Sequence, residues 1–449
     1  MRNEVKYTMN ARIDVRKAGI FILALFVMFL PQRIKFGVYS FRLIESLLLV
    51  MVLYMCQGQV RMVSFFKRYT VIFYFIAIGL AYMVSMEIAS LIGFYLDSII
   101  LVLIVVNLIN KREDFDLFIN FFDIALFAYC ILGIVESVTG FNLWNVFTSN
   151  PVEFGMRYGL HRVTGVFTTP INNGSFLLLS MSLLMFQIKN TELRQKKRST
   201  SLMILVWINL IMTLSRGPIL CATVLWGIWL IKAGILKSIR KHLLMIILIG
   251  IACVCIFQIP SVKQAVFKFY VMFAAIFDES IATAYGSEFG SNMNGIGQRT
   301  DLYRWVWDAL SDNKLFGTGP NSVFQYNFIS NTGRLTEKTS LENEYLSRLF
   351  HFGIVGLGIT IMYYLSIFFS MLKKCISGRN SPIIKSYFFY VTSALLCYFI
   401  VGFMVSFVDE MRMLYILIGL GFSLERIEQS NLIDVNKNAY KCEEIKYDR

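Results

Sequence analysis

The residues best suited to chemistry in this 449-residue sequence are a few arginines and one acidic segment. Arg216 sits in Thr213-Leu214-Ser215-Arg216-Gly217-Pro218 and is the only charge between the Lys/Arg cluster at 194–198 and Lys232. An arginine inside or at the lip of a membrane domain is costly, so it faces protein, water or an anion. It is therefore either a snorkelling interfacial residue or an anion clamp. Gly217 permits a tight turn there, and Pro218 suits the start of the next helix. Arg299 and Arg304 lie in a stretch, 297–307, that reads as helix. Guanidinium binds phosphate bidentately, and a diphosphate can engage two such groups. The alternative for these two, and for Arg162, is a solvated loop charge. Ser340-Leu341-Glu342-Asn343-Glu344-Tyr345-Leu346 precedes a long apolar run. A carboxylate held against apolar surface can act as a general base. Acidic residues also suit the first turn of any helix. Asp409, Glu410 and Arg412 read as a local ion pair in a tight turn, and His351 as a packed helix histidine.

These groups need a scaffold, and composition says what kind. Of all residues 56% are hydrophobic and only 16% charged, against about 25% charged in soluble domains. Lipid must act as part of the solvent. Scarce Pro (7) and abundant Phe (40) suit long lipid-facing helices better than a barrel of alternating strands. The expected fold is all-α, a polytopic membrane bundle. Apolar runs place about twelve spans near 18–31, 41–57, 70–86, 89–109, 116–138, 174–188, 201–214, 217–236, 243–258, 346–371, 387–408 and 411–425. The net charge of +14 would suggest nucleic acid in a soluble protein, but in a membrane protein basic residues mark cytoplasmic loops. With both termini inside, the inner segments hold 28 of the 43 Lys and Arg, including the dense runs 194–198 and 237–241. No nucleic-acid partner is expected. The basic N-terminus lacks a small-residue cleavage site and reads as retained. None of the eight Cys falls in the large outer loop, so no disulfide is expected. The three His are too scattered for a metal site, and no cofactor is expected.

The chain then divides into spans one to five (1–138), a first outer loop with spans six to nine (139–258), a large extracytoplasmic loop (259–345), spans ten to twelve (346–425) and a cytoplasmic tail (426–449). The outer loop 139–173 carries Gly155, Arg157, His161, Arg162, Gly165, Pro170, Asn172 and Asn173. The second loop has an apolar-spaced first part, Val262 to Ala284, suited to the interface. Its helix at 297–307 is followed by a turn, Gly317-Thr318-Gly319-Pro320. A loop this long without structure would be uncommon, so an ordered functional cap is expected.

Four segments together resemble the O-antigen ligase and O-antigen polymerase superfamily of bacterial membrane glycosyltransferases. They are Arg162-Val163-Thr164-Gly165-Val166-Phe167 with Pro170 and Asn172; Leu214-Ser215-Arg216-Gly217; Gly297-Gln298-Arg299 with Trp305 and then Leu315-Phe316-Gly317-Thr318-Gly319; and Glu342-Asn343-Glu344-Tyr345-Leu346 followed by Phe352-Gly353-Ile354-Val355-Gly356. The resemblance covers roughly residues 150 to 425 and implies a multi-pass protein of the bacterial cytoplasmic membrane. It further implies an undecaprenyl-diphosphate-linked oligosaccharide as substrate, already flipped to the outer face.

By that resemblance Arg216 and Arg299 would hold the diphosphate. Arg162, Arg304, Asn343 and Tyr345 would line the substrate, and Glu342 would orient or deprotonate the acceptor hydroxyl. Where ligases of the family tend to carry His, this chain has Glu342, which favours a repeat-unit polymerase acting on O-antigen or capsule units. A chain-length regulator protein would then be a possible partner. The alternatives are a ligase that moves glycan to lipid A core or protein, and a lipid-linked-glycan flippase. Flippases need polar residues deep in the bundle and usually two related halves; here the charges cluster outside.

Overall fold

The structure, a computed structural model, describes residues 2–29, 35–36, 38–57, 59–61, 67–148, 151, 161–190, 193–233, 267, 295–311, 313–329, 335–338, 341–378, 380–406 and 411–447. Across them the chain is helical, with two short antiparallel hairpins as the exceptions. The first half contains α1 (Arg2–Phe29), hairpin β1–β2 (Lys35–Phe36, Val38–Tyr39), α2 (Ser40–Cys56), α3 (Tyr69–Val84), α4 (Ile88–Tyr95), α5 (Leu101–Leu108), α6 (Arg112–Thr139), α7 (Pro170–Asn190), α8 (Leu193–Met212) and α9 (Arg216–Ala233). The second half contains α10 (Gly295–Leu310), hairpin β3–β4 (Tyr326–Ile329, Leu335–Lys338), α11 (Glu344–Ile376), α12 (Pro382–Val401) and α13 (Met411–Tyr447).

Among the described residues, five helical segments are long and apolar enough to cross a membrane: Ile88–Leu108, Arg112–Thr139, Pro170–Asn190, Glu344–Ile376 and Pro382–Val401. The apolar α3, at 16 residues, is shorter. Of the remaining expected spans, all but one fall on described helices; 243–258 lies outside the described residues, as does all but Phe267 of the expected interfacial stretch from Val262 to Ala284. The expected helix at 297–307 is α10.

The bundle is built around α7, which is buried almost along its whole length and packs against α8, α9 and α12. A helix that is buried all round belongs at the centre. Gly174, Ser175, Ser180 and Ser182 keep its surface small, so neighbouring backbones can approach. At Gly174 an added methyl would meet Pro218 of α9. The serine hydroxyls donate to their own helix, for example Ser180 Oγ to the Phe176 carbonyl at 2.9 Å. The hydroxyls of α7 are thereby satisfied within their own helix.

Two long-range polar ties cross the bundle. The segment Ile88–Leu108 is interrupted by a π turn, Leu96–Ile100, that carries Asp97. Arg412 at the start of α13 donates to Asp97 at 2.6 Å and lies 3.4 Å from the fully buried Glu45 of α2. Arg412 thus has partners more than 300 residues away; Asp409 and Glu410, its expected partners in the turn, lie outside the described residues. Sequence reasoning favoured near neighbours because it cannot see which helices are adjacent.

The second device is a break in α11. Gly353 has φ 67° and ψ −169° inside an otherwise helical run. A left-handed φ is cheap only for glycine. The break frees backbone groups, and the turn 314–319 takes them up. The amides of Ile354 and Val355 donate to the carbonyls of Lys314 (2.9 Å) and Leu315 (3.2 Å). The amides of Thr318 and Gly319 donate to the carbonyls of Phe350 (2.9 Å) and His351 (3.0 Å). His351 also meets the Gly319 carbonyl through Nδ1 at 3.0 Å, so it fastens the same turn. Leu302, Trp305, Val306 and Leu310 of α10 then pack with Phe324, Leu346 and Phe350 in a small core of their own, and Trp305 stacks on Tyr326 with centroids 4.7 Å apart.

Gly353→Ala should therefore do more than fill space. It forces a strained φ and drives a methyl into the Leu315 carbonyl. We expect a loss of at least about 2 kcal/mol, read as a lower melting temperature of the purified protein in detergent and faster protease cleavage within 313–323. Gly358→Ala, which meets nothing within 4 Å, should melt like the parent protein.

Candidate active site

Three of the four motif segments meet at one end of the bundle, and buried carboxylates pin two of them. The segment 161–167 lies between the ends of α6 and α8. Glu136, buried near the end of α6, accepts from Thr164 N (2.9 Å), Thr164 Oγ1 (2.8 Å) and Asn142 Nδ2 (2.9 Å) through Oε1, and from Gly165 N (3.0 Å) through Oε2. Gly165 has φ 56°, and an added methyl there would strike the Tyr129 hydroxyl. That hydroxyl donates to Asn173 Oδ1 at 2.7 Å, and Asn173 Nδ2 donates to the Val163 carbonyl at 3.2 Å. Every polar group facing this carboxylate donates to it, which is what a buried anion requires.

Val163 N donates to the Met212 carbonyl at 3.2 Å, and Arg162 reaches across to the same turn. Its Nε donates to the Thr213 carbonyl and its Nη2 to Ser215 Oγ, both at 3.2 Å. The turn needs such support, because Leu214 holds φ 49°, a left-handed value rare for a side chain of its kind. α9 then starts at Arg216, with Gly217 and Pro218 in its first turn. Arg216 is half-buried, and among the described residues its guanidinium has neither an ion pair nor a side-chain hydrogen bond. It also sits at the positive end of a helix dipole, which repels a cation and attracts an anion. Such a cation at a helix N-terminus has the chemistry to bind an anion.

The turn from Gly402 to Ser406, at the end of α12, joins this site to the acidic segment. On one side an added methyl at Gly217 would strike Met404 Sδ, so the Met404 side chain packs directly on the Gly217 backbone. On the other, Glu344 N donates to the carbonyls of Gly402 (2.8 Å) and Val405 (3.1 Å), and Asn343 Nδ2 donates to the Phe403 carbonyl (3.3 Å). Asn343 caps α11 by accepting from Leu346 N at 3.0 Å, and its amide also donates to the Tyr303 hydroxyl of α10 at 3.0 Å. Tyr345 donates to the Phe399 carbonyl at 2.8 Å.

Glu344, not Glu342, is the buried carboxylate of this segment, with 1% exposure. Its Oε1 accepts from Arg348 Nε at 2.7 Å and from the Tyr364 hydroxyl at 3.0 Å, and its Oε2 accepts from Ser406 Oγ at 3.2 Å. Arg348 in turn lies over the Phe352 ring, 5.7 Å from its centroid.

The sequence-derived site residues separate accordingly. Arg162, Arg216, Asn343 and Tyr345 converge on the turns 213–218 and 402–406. Arg162 and Asn343 spend polar groups on holding those turns, and Tyr345 packs its ring on Phe403, centroids 4.5 Å apart, while its hydroxyl bonds Phe399 in α12. Glu342 is exposed, one residue before the cap of α11. Arg304 is exposed on α10, 3.9 Å from Asp308 one turn on. Arg299 lies in the first turns of α10, and its side chain is outside the described residues. Sequence reasoning missed Glu136, the pair of Glu344 with Arg348, and the turn 402–406. An i, i+4 Glu-Arg spacing was visible at 344 and 348; nothing in the sequence marks the 402–406 turn.

Residues 201–361 match the sequence model of the O-antigen ligase family. The match includes the turn at Arg216, the stretch with Arg299 and Gly317, and the segment from Glu342 to Gly356, and it supports the O-antigen ligase and polymerase superfamily; the Arg162 segment lies before it. No curated protein matches the chain.

The Glu344–Arg348 pair yields a stability test. Removing one partner leaves a buried unpaired charge, at a cost of about 3–5 kcal/mol. Glu344→Ala and Arg348→Ala should each lower the melting temperature strongly. The double substitution Glu344→Leu with Arg348→Met should recover much of the loss, and a purely additive double variant would contradict a buried, mutually neutralising pair.

Proposed function

Proceeding from the O-antigen ligase family match over residues 201–361, we propose that this protein is a polysaccharide repeat-unit polymerase. It transfers a growing glycan from undecaprenyl diphosphate to a hydroxyl of another lipid-linked repeat unit at the outer face of the bacterial cytoplasmic membrane. The observation that carries the reading is Arg216: a guanidinium on the first residue of α9, without a protein counter-charge among the described residues, on a turn packed against the one that holds Asn343 and Glu344.

The chemistry follows from that arrangement. The acceptor hydroxyl attacks the anomeric carbon of the donor, and the bond from that carbon to the diphosphate oxygen breaks. Negative charge grows on the departing diphosphate. Arg216 and the amides of the first turn of α9 lie ready to stabilise it, with Arg299 completing the grip from α10. Arginine is suited to this because it stays charged and binds two oxygens at once. Glu342 takes the proton of the acceptor hydroxyl; its exposure leaves it accessible to a second substrate. Arg162, Asn343 and Tyr345 act on the turns around the substrate, and Arg304 on the glycan. Glu342 in place of the histidine found in ligases favours polymerase. The ligase reading shares the same diphosphate chemistry and differs in the acceptor.

Arg216→Ala or Arg299→Ala should reduce polymerisation by at least about a hundredfold and leave single repeat units, resolved as one-repeat bands on a gel of surface polysaccharide. Arg216→Lys should restore little, because an ammonium lacks the two-pronged fork. Full-length polymer retained on the lipid carrier would instead identify a ligase, and normal polymer in both alanine variants would sink the diphosphate grip.

A further inference from the structure

Resting on the glycosyltransferase reading, we propose that the ridge of α10 formed by Tyr303 and Trp307 is a subsite for the sugar rings of the substrate glycan. The two aromatics are one turn apart on the same side of the helix and remain 47% and 44% exposed. Arg299 precedes Tyr303 by the same four-residue step. In sequence register α10 thus carries Arg299, Tyr303 and Trp307 at steps of about 6 Å along its axis. A glycan carrying a diphosphate at one end has the same order: anion, then sugar, then sugar.

Three observations favour a sugar over lipid as the occupant. First, the exposed residues beside the rings are charged: among the described residues of α10, Asp301, Arg304 and Asp308 are exposed, with Ala309 the one small apolar addition. A lipid-facing helix would show an apolar face there. A saccharide uses both, laying its C–H faces on the π clouds and its hydroxyls against the flanking charges. Second, the ridge is continuous with the candidate active site, since the Tyr303 hydroxyl accepts from Asn343 at 3.0 Å, next to Glu342. Among the described residues the phenolic proton meets no acceptor, so it can serve a ligand oxygen. Third, the rings are held in place. Lys314 Nζ lies 4.9 Å from the Trp307 ring centroid, and Leu302, Val306 and Leu310 on the adjoining face pack α10 onto α11. A rigid support is what a shaped binding surface needs.

The test uses full-length purified protein and a probe that carries neither lipid nor phosphate: oligosaccharides from partial hydrolysis of the producing strain's own surface polysaccharide. Saturation-transfer NMR on the parent protein should show transfer to sugar-ring protons. Trp307→Ala and Tyr303→Ala should each weaken binding by about fivefold to tenfold. Tyr303→Phe, which keeps the ring, should weaken it less. In cells, Trp307→Ala should shorten the polymer. Unchanged binding in Trp307→Ala protein that melts like the parent, or no transfer to sugar protons in the parent, would overturn the subsite. If Trp307→Ala fails to fold, Trp307→Phe takes its place, with an intermediate loss expected and unchanged binding counting against the proposal. Quenching of Trp307 fluorescence by vesicles of bromine-labelled lipid would place the ring in the bilayer and also overturn it. The probe lacks diphosphate, so normal polymer in the Arg216 variants leaves the subsite standing, and loss of ring-dependent binding leaves the diphosphate grip standing.

Discussion

The requirement that buried polar groups find partners within the protein shapes the whole motif-bearing end of this bundle. In lipid an unpaired amide or carbonyl costs several kcal/mol. A helix can be broken there only if another segment takes up the freed groups. The break at Gly353 meets that condition through the turn 314–319, whose carbonyls accept from one side of the break and whose amides donate to the other. The loop is consequently part of the bundle. It carries α10 with it, and α10 brings Tyr303 to Asn343.

The same requirement explains the buried acids. Glu136 and Glu344 are almost wholly buried, and each gathers donors from segments distant in sequence. Such groups add little net stability compared with a well-packed apolar core, but they penalise wrong arrangements heavily. Glu136 fixes the segment before α7, and Glu344 fixes the start of α11 against the end of α12. Arg412, with Asp97 and Glu45, ties α13 to the first half of the chain. The result is a rigid frame around two turns, 213–218 and 402–406, that approach closely at Gly217 and Met404.

Against this frame Arg216 differs from Arg348 and Arg412. Those two guanidiniums are neutralised by carboxylates. Arg216 sits where the backbone dipole adds to its own positive charge, and Leu214 holds a left-handed backbone to put it there. Strain, and a charge without a counter-charge among the described residues, suit a group that receives an anion from outside. In the proposed reaction the departing diphosphate would supply it, when stabilisation has most effect.

The sequence by itself determined the helical class, because 56% hydrophobic residues in long runs cannot be hidden from water in another way. It also marked Arg216 and the Glu342–Leu346 segment, since charges flanking apolar runs are rare enough to notice, and α10, whose apolar spacing is local. Local composition and spacing suffice for such features. Which carboxylate is buried, which arginine is neutralised and which turns touch were decided by tertiary structure alone. Glu342 and Glu344 are equivalent by type and nearly so by position, yet Glu342 precedes the cap of α11 and is exposed, while Glu344 is the first helical residue and turns against Tyr364 and Ser406. Arg412 has acids as chain neighbours, yet nothing local announces its partners across the bundle, Asp97 and Glu45. Charge pairing over hundreds of residues depends on which helices lie side by side, and packing of the whole chain sets that adjacency.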